Sequence, residues 1–326
     1  MDRRRFLLTS LAGALAAPLA AEAQPAGKPV RIGWISVTIQ SPERGPEEWR
    51  PLVERHLRQS GWDPRFELRY AAGDLDRLAV MAEELAKARL DVIVAPDTQS
   101  AVAAKKATAT IPIVMSSADP IGAGLVASLG RPGGNITGVS NAFDDGIAGK
   151  WVELLRELGP ASSIAVVWNP ATRAAAARIG VIEMAATKLG LRVHRLEIQS
   201  AGDVDAVVQA LARTSVNGLI FDPDLTLIPY VRRVADAALR HRIPSVFAFA
   251  PAAANLGSLM PYGPSLPDVY RRIAIYVDRV LRGAKPSELP VEQVRKYDLV
   301  INLKTAKAIG LTIPPSLLAR ADQVIE

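Results

Sequence analysis

Polar side chains follow several apolar, strand-like runs of this chain, and their types are those that hold small charged ligands. Hydroxyls and helix N-terminal N–H groups bind carboxylates. A carboxylate side chain binds an ammonium group, and an aromatic ring stacks on a flat ligand. Together these groups suit the recognition of a small zwitterion. The candidate ligand-binding residues are Ser36, Asp97, Thr98, Gln99, Ser117, Asp119, Asn169, Asp222, Asp224 and Phe249.

The same residue types have a second interpretation. Ser, Thr, Asp and Asn are preferred helix N-caps whether or not a ligand is near. For any one of these residues, the sequence leaves binding and capping equally open. The binding interpretation depends on five loops that converge at one place, and not on a single side chain.

The elements that must position these loops alternate along the whole chain. In a helix predicted at residues 75–88, Leu78, Met81, Ala82 and Leu85 recur at three- and four-residue spacing, which gives one apolar face. Short β-rich apolar runs between such helices predict parallel sheets that are covered on both faces. Because ligands bind beyond the carboxyl ends of the strands in such sheets, the loops after the strands are the expected site.

The strand and helix pattern occurs twice. A cluster of helix- and strand-breaking residues at 131–135 separates the first series from a second one, which begins at residue 164 and includes a predicted helix at 228–240. A late strand is predicted at 299–301. Two successive series predict an α/β protein with two doubly wound, Rossmann-like lobes that contain parallel sheets.

Several kinds of chemistry are absent from the sequence. The chain has no cysteine, and its three histidines lie far apart without carboxylates at metal-ligand spacing. It carries no nucleophile elbow, zinc-protease motif or phosphate-binding loop. The formal net charge is +6, but the basic residues are scattered and form no stripe for nucleic acid. We therefore expect no catalytic residue, no metal, no cofactor and no nucleic-acid partner.

The first residues have the pattern of an export signal. Arg3, Arg4 and Arg5 precede an apolar run at 7–20, and Ala21-Glu22-Ala23 is a small-x-small cleavage site. The run is shorter than the ~20 apolar residues that span a bilayer. The sequence predicts cleavage near Ala23, a periplasmic location and no membrane insertion after processing. It leaves the twin-arginine and the general secretory routes both open.

Several longer motifs resemble one family. They are SADP at 117–120, LVASL at 125–129, RPGGNITG at 131–138, Asn169-Pro170, GSLMPYG at 257–263, DLVINLKTA at 298–306 and LLARAD at 317–322. On these residues the chain resembles the ABC transporter substrate-binding family related to tryptophan-binding proteins, which has the type I periplasmic-binding fold. The resemblance covers nearly the whole chain.

The resemblance implies a receptor with two lobes joined by three hinge crossings, which closes on its ligand. The crossings are expected near residue 140, near 248–256 and near 282–291. Lobe 1 would comprise 24–140 and 257–282, and lobe 2 would comprise 141–256 and 291–326, after the signal at 1–23. The implied partners are a small-molecule ligand, such as an amino acid, and an ABC transporter permease with its ATPase. We expect a monomer.

The chain departs from the family pattern in the loops after the first and third strands. These loops lack the usual glycine, and the latter reads Pro96-Asp97-Thr98-Gln99. If Asp97 faces the ligand, it favours a cationic or amine-bearing molecule. Three alternative functions are an envelope enzyme that uses Asp222 and Asp224 as an acid–base pair, a receptor that feeds a sensor protein, and a repressor. The export signal occupies the place where a repressor needs its DNA-binding helices. The sequence does not identify the ligand.

Overall fold

The computed structural model of the protein describes residues 27–37, 49–142, 146–248 and 256–326. The predicted signal at 1–23 and the candidate Phe249 lie outside these ranges. The strands of the described residues form two sheets, and helices cover both faces of each sheet. The predicted α/β class with two doubly wound lobes is confirmed.

The first sheet has six strands, and every neighbouring pair in it is parallel. Its spatial order is β11-β5-β4-β3-β1-β2. The strands are β1 (Lys28–Ser36), β2 (Trp62–Tyr70), β3 (Val92–Ala95), β4 (Ile113–Ser117), β5 (Ile136–Ser140) and β11 (Glu292–Gln293).

The second sheet has seven strands in the order β13-β12-β10-β9-β8-β6-β7. Only the pair β10–β12 is antiparallel among the described pairs. The strands are β6 (Ser163–Trp168), β7 (Arg192–Glu197), β8 (Leu219–Phe221), β9 (Ser245–Phe247), β10 (Met260–Pro264), β12 (Tyr297–Asn302) and β13 (Gln323–Ile325).

The helices pack in pairs or groups on the sheet faces. Those of the first lobe are α1 (Arg50–Gln59), α2 (Leu75–Lys87), α3 (Thr98–Ala107) and α8 (Leu266–Leu281). Those of the second lobe are α4 (Ile147–Glu157), α5 (Arg173–Lys188), α6 (Asp203–Arg213), α7 (Val231–Arg240), α9 (Leu303–Ile309) and α10 (Pro315–Leu318). Each of the four apolar cores draws its residues from one lobe only. Since no described core joins the lobes, a hinge motion would leave all four packed.

Both sheets reverse their strand order at one point. In the first sheet the order reverses between β1 and β3, and in the second between β6 and β8. Such a switch point leaves a crevice at the carboxyl ends of the two strands, because the following helices lie on opposite faces of the sheet. The fold therefore offers one crevice in each lobe.

The three connections between the lobes run side by side. The first follows β5, the second lies at Ser265 between β10 and α8, and the third lies at residues 294–296 between β11 and β12. The Ser265 N–H donates to the Lys296 carbonyl (2.9 Å), and the Val294 N–H donates to the Ser140 carbonyl (2.8 Å). Hydrogen bonds thus join the three crossings to one another.

Two of these crossings differ from the predicted places. Residues 257–282 were assigned to lobe 1, but β10 pairs with β9 and β12 in the second sheet, so the chain leaves lobe 2 only after Pro264. Residues 291–326 were assigned to lobe 2, but β11 pairs with β5 in the first sheet. Which sheet a strand joins is a tertiary property that its own residues do not encode.

The helix predicted at 228–240 also differs in its start. Residues Leu225–Tyr230 form a 3-10 helix that contains Pro229, and α7 begins only at Val231. Proline is accepted in the first turn of an α-helix, so Pro229 does not by itself decide where α7 begins. The 3-10 helix lies directly after β8, beside the second crevice.

Candidate functional site

The side chain of Asp97 lies at the crevice of the first lobe and bonds to residues on both sides of it. Asp97 is the N-cap of α3, and its Oδ1 accepts a hydrogen bond from the Ser100 N–H (2.8 Å). Its Oδ2 accepts from the Ser100 hydroxyl (2.8 Å), the Ser36 hydroxyl (3.0 Å) and the Val37 N–H (3.2 Å). The bonds from Ser36 and Val37 join the end of β1 to the loop after β3. Asp97 therefore connects the ends of β1 and β3 by hydrogen bonds at the first switch point.

Burial acts on the charge of this carboxyl group. Asp97 is 8% exposed. Removal from water raises the pKa of Asp97, while the hydrogen bonds from Ser100, Ser36 and Val37 oppose that rise. The structure thus gives both oxygens of Asp97 a capping and bridging role. The role of Asp97 toward a ligand stays a prediction.

Hydroxyl groups lie beside Asp97 at the same edge. The Thr98 and Ser117 hydroxyls are 3.0 Å apart, the Ala118 N–H donates to Thr98 Oγ1 (3.2 Å), and the Asp119 N–H donates to Ser117 Oγ (3.3 Å). The Gln99 side-chain oxygen is buried and has no hydrogen-bond partner in the described ranges. This cluster stands at the N-terminal turn of α3, where N–H groups favour an anion.

Asp119 itself lies further out. Its Oδ1 accepts a hydrogen bond from the Gly122 N–H (2.8 Å), and the side chain is exposed in the turn after β4. This contact stabilises a turn, as an Asx side chain commonly does.

The crevice of the second lobe has a different arrangement. Asp224, just after β8, caps the 3-10 helix, and its Oδ1 accepts from the Thr226 N–H (2.9 Å) and hydroxyl (2.7 Å). The Asn169 amide, just after β6, donates to the same hydroxyl (2.8 Å). Asn169 Oδ1 accepts from the Ala171 N–H (2.9 Å). Thr226, which the sequence analysis did not single out, therefore links the two predicted residues across the switch point.

Asp222 is engaged by an arginine. Arg178 of α5 donates through Nε and Nη2 to the two oxygens of Asp222, both at 2.7 Å. Asp222 is 0% exposed, and the Arg178 side chain is 13% exposed. Burial raises the pKa of Asp222, and the Arg178 guanidinium opposes this rise. Arg178 lies mid-helix, and no motif in the sequence signals it.

Buried polar atoms without partners mark both crevices. Among the described residues these include Asp224 Oδ2 and Trp168 Nε1 in the second lobe, and Gln99 Oε1 and Asn141 Oδ1 in the first. Trp168 ends β6 and Asn141 follows β5, so all four lie next to strand carboxyl ends. A buried polar atom left unpaired costs about 1–3 kcal/mol. A bound ligand would supply the missing partners.

An aromatic stack lies at the carboxyl edge of the first sheet. The Tyr270 ring stacks on Trp34 (centroids 6.1 Å apart) and on Trp49 (5.7 Å). Trp34 is near the end of β1, while Trp49 and Tyr270 belong to the starts of α1 and α8. Trp49 is half-buried, whereas the other two rings are buried. No pattern in the sequence signals this stack, because its three rings are distant along the chain.

Other kinds of site find no support in the described part of the chain. No group of three or more His, Cys, Asp or Glu side chains is arranged to hold a metal ion there. None of the helices that the structure describes has the length and apolar character to cross a bilayer.

Comparison with known proteins points in one direction. Residues 53–325 match the sequence profile of the family described as ABC transporter substrate binding protein. A curated tyrosine-binding protein of Clostridioides difficile is 26% identical over 255 residues, which cover 78% of this chain and 72% of that protein.

Two solved structures share the architecture. One is an ABC domain from Streptococcus pneumoniae in complex with L-Trp, with a TM-score of 0.78 and 27% identity over 90% of this chain and 100% of that chain. The other is a conserved domain protein from Vibrio cholerae, with a TM-score of 0.78 and 29% identity over 91% of this chain and 99% of that chain.

Proposed function

Because the chain belongs to the family of ABC transporter substrate-binding proteins, we propose that it captures an amino acid or a similar small zwitterion between its two lobes. The observation that carries the proposal is the set of unpartnered buried polar atoms at the carboxyl edges of both sheets. A ligand held there would contact both lobes at once. Closure of the lobes over it would be favoured because only the closed form satisfies both edges.

An aromatic amino acid fits the first lobe. Two similar proteins are a tyrosine-binding protein and an ABC domain in complex with L-Trp. In this chain Trp34, Tyr270 and Trp49 form a stack in which Trp49, at one end, is half-buried. Aromatic rings favour offset or edge-on contact with further rings. The Thr98 and Ser117 hydroxyls, at the start of α3, suit the ligand carboxylate.

We further propose that the protein works in the periplasm, after removal of the signal near Ala23, as a monomer that delivers its ligand to an ABC permease with its ATPase. Cell fractionation with an antibody tests the location. Mature protein in the periplasmic fraction supports it, and an unprocessed chain in the cytoplasm contradicts it.

A receptor explains the two carboxylates of lobe 2 better than an enzyme does. An acid–base mechanism would need Asp222 and Asp224 to exchange protons with a substrate. Both oxygens of Asp222 are instead held by Arg178. We therefore infer that the protein binds its ligand without converting it, which leaves transport and sensing as the fates of the bound form.

A thermal-shift screen of the purified protein tests the proposal. Amino acids, purines, pyrimidines, aromatic acids and sugars would each be added in excess. A ligand at 100 times its dissociation constant stabilises the folded state by about 2.7 kcal/mol, which a melting curve resolves. We expect amino acids to raise the melting temperature. Chromatography should then recover the ligand unchanged. A shift with sugars alone, or consumption of the ligand, would overturn the proposal.

A further inference from the structure

We infer that Asp224 is the residue that binds the amine of the ligand, and that Asp222, two residues before it, is not. This inference rests on the proposed function, because it assigns one charged group within the same site. It predicts that the receptor demands a cationic amine on its ligand.

The two oxygens of Asp224 differ in their surroundings. Thr226 donates twice to Oδ1, whereas Oδ2 is buried and has no hydrogen-bond partner among the described residues. Asp224 is 7% exposed. A buried carboxylate is strongly destabilising unless its charge is paired and its lone pairs are satisfied. Asp224 therefore has one position left for a charged N–H donor.

No basic side chain of the described residues forms an ion pair with Asp224. Arg178, the cation of this region, forms its ion pair with Asp222 instead. That pair carries no net charge, so the negative charge of Asp224 remains uncompensated at the switch point. An ammonium group from the ligand supplies both the positive charge and the donor.

A second unpartnered group lies at the same switch point. Trp168 ends β6, which pairs with β8, and its buried Nε1 has no acceptor among the residues that the structure describes. Trp168 is 7% exposed. The second crevice thus offers one acceptor with a charge and one donor. This combination matches a ligand whose amine stands near an acceptor atom, as in an amino acid.

Asp222 is excluded by its own partner. Arg178 engages both of its oxygens in a bidentate pair, the strongest form of side-chain hydrogen bonding. A ligand amine at Asp222 would have to displace a guanidinium and then lie beside it. The role of Asp222 is to hold Arg178 against the end of β8.

Isothermal titration calorimetry on the whole protein tests the assignment. The probes are L-tryptophan and L-tyrosine, together with 3-(indol-3-yl)propionate and 3-(4-hydroxyphenyl)propionate, which lack only the amine. With the unaltered protein, we expect the amino acids to bind at least tenfold more tightly than the matching acids, which corresponds to about 1.4 kcal/mol. This comparison needs no variant, so it holds even if a variant fails to fold.

The variant Asp224→Asn should remove that preference. We expect it to weaken amino-acid binding at least tenfold and to leave the two deaminated acids within threefold of their original affinity. Asp91→Asn is the matched control, because Asp91 precedes β3 at the amino-terminal edge of the first sheet, where its Oδ2 accepts a hydrogen bond from the Arg31 N–H (2.7 Å). The control should bind all four probes as the unaltered protein does.

The outcomes separate the inference from the function on which it rests. If the unaltered protein binds neither amino acid, the proposed function fails and the inference fails with it. If the amino acids bind, but as well as the deaminated acids or equally well to Asp224→Asn, the proposed function stands and the assignment of Asp224 is wrong.

Discussion

The two crevices of this protein start from the same local pattern and end with opposite properties. In each, an aspartate follows a short buried strand and caps the helical turn after it: Asp97 after β3, and Asp224 after β8. Asp97 accepts four hydrogen bonds that involve both oxygens. Within the described part of the chain, Asp224 accepts two hydrogen bonds on one oxygen and none on the other. Both oxygens of Asp97 are thus bonded within the chain, whereas one oxygen of Asp224 has no partner among the described residues.

The neighbouring strand decides the difference. In the first lobe, β1 ends at Ser36, whose hydroxyl reaches Asp97, and the following N–H of Val37 does so too. In the second lobe, β6 ends at Trp168, whose indole N–H donates to no described group. Asn169 then bonds to Thr226 and not to Asp224 directly. An N-cap carboxylate thus keeps one oxygen for a ligand when the adjacent strand supplies no hydrogen-bond donor to it.

The largest expected loss of stability follows from a substitution of Asp222. Asp222→Ala should destabilise the protein by about 3–5 kcal/mol, because it leaves the largely buried Arg178 guanidinium without its carboxylate. Urea unfolding, followed by circular dichroism, measures the change. The double variant Arg178→Met with Asp222→Leu should recover most of the loss, since it removes both charges together. A double variant as unstable as Asp222→Ala would contradict the ion-pair explanation.

The second effect compares the two caps directly. Asp97→Ala should cost about 2–4 kcal/mol, because it removes an N-cap and leaves the Ser100 and Val37 N–H groups without their acceptor. Asp224→Ala should cost clearly less, because the loss of the Thr226 cap is offset by the removal of a buried carboxylate oxygen that has no partner among the described residues. The same urea titration measures both. Equal losses, or a larger loss for Asp224→Ala, would show that the two crevices do not differ as described.

The smallest effect is a difference in pH dependence. Burial raises the pKa of Asp97, so the folded state holds this proton more tightly than the unfolded state does. Its contribution to stability is full below the ordinary aspartate pKa of about 3.9 and is lost as the pH rises through the raised pKa. The destabilisation by Asp97→Ala should therefore shrink as the pH rises through that range.

Asp203 provides the opposite case. Hydrogen bonds from the N–H groups of Ser200 and Gln199 lower the pKa of Asp203. Its contribution is full above the ordinary pKa and is lost as the pH falls through the lowered value. The destabilisation by Asp203→Asn should shrink as the pH falls. Thermal unfolding between pH 3 and 8, at about 0.15 M salt, should show the two trends with opposite sign, and parallel trends would contradict the burial argument.

Much of the fold was predictable because strands and helices have local periodicities. The two series of apolar runs gave the strands and helices of both lobes, and the breaker cluster at 131–135 preceded β5, the last full strand before the first crossing. The misplaced boundaries involve β10 and β11, whose sheets are set by pairing with distant strands. The start of α7 was misplaced because a 3-10 helix that contains Pro229 precedes it.

The candidate site was less predictable for a similar reason. The polar residues after the strands were found by position, and the structure brings several of them together: Ser36 with Asp97, Thr98 with Ser117, and Asn169 with Asp224 through Thr226. Their roles in binding remain predictions. Arg178, Trp168 and the stack around Tyr270 were missed, because each acquires its meaning from a residue far away in the chain.

The fold class of this protein follows from its amino-acid sequence alone. Periodicity fixed the α/β elements, their repetition fixed two lobes, and the longer motifs pointed to the family that the comparisons support. Only the tertiary structure shows that both oxygens of Asp97 are bonded, and that one oxygen of Asp224 has no partner among the described residues. The physical reason is that a carboxylate's hydrogen-bond partners and its burial come from neighbouring strands and helices, and the identical local cap signal of Asp97 and Asp224 carries no information about them.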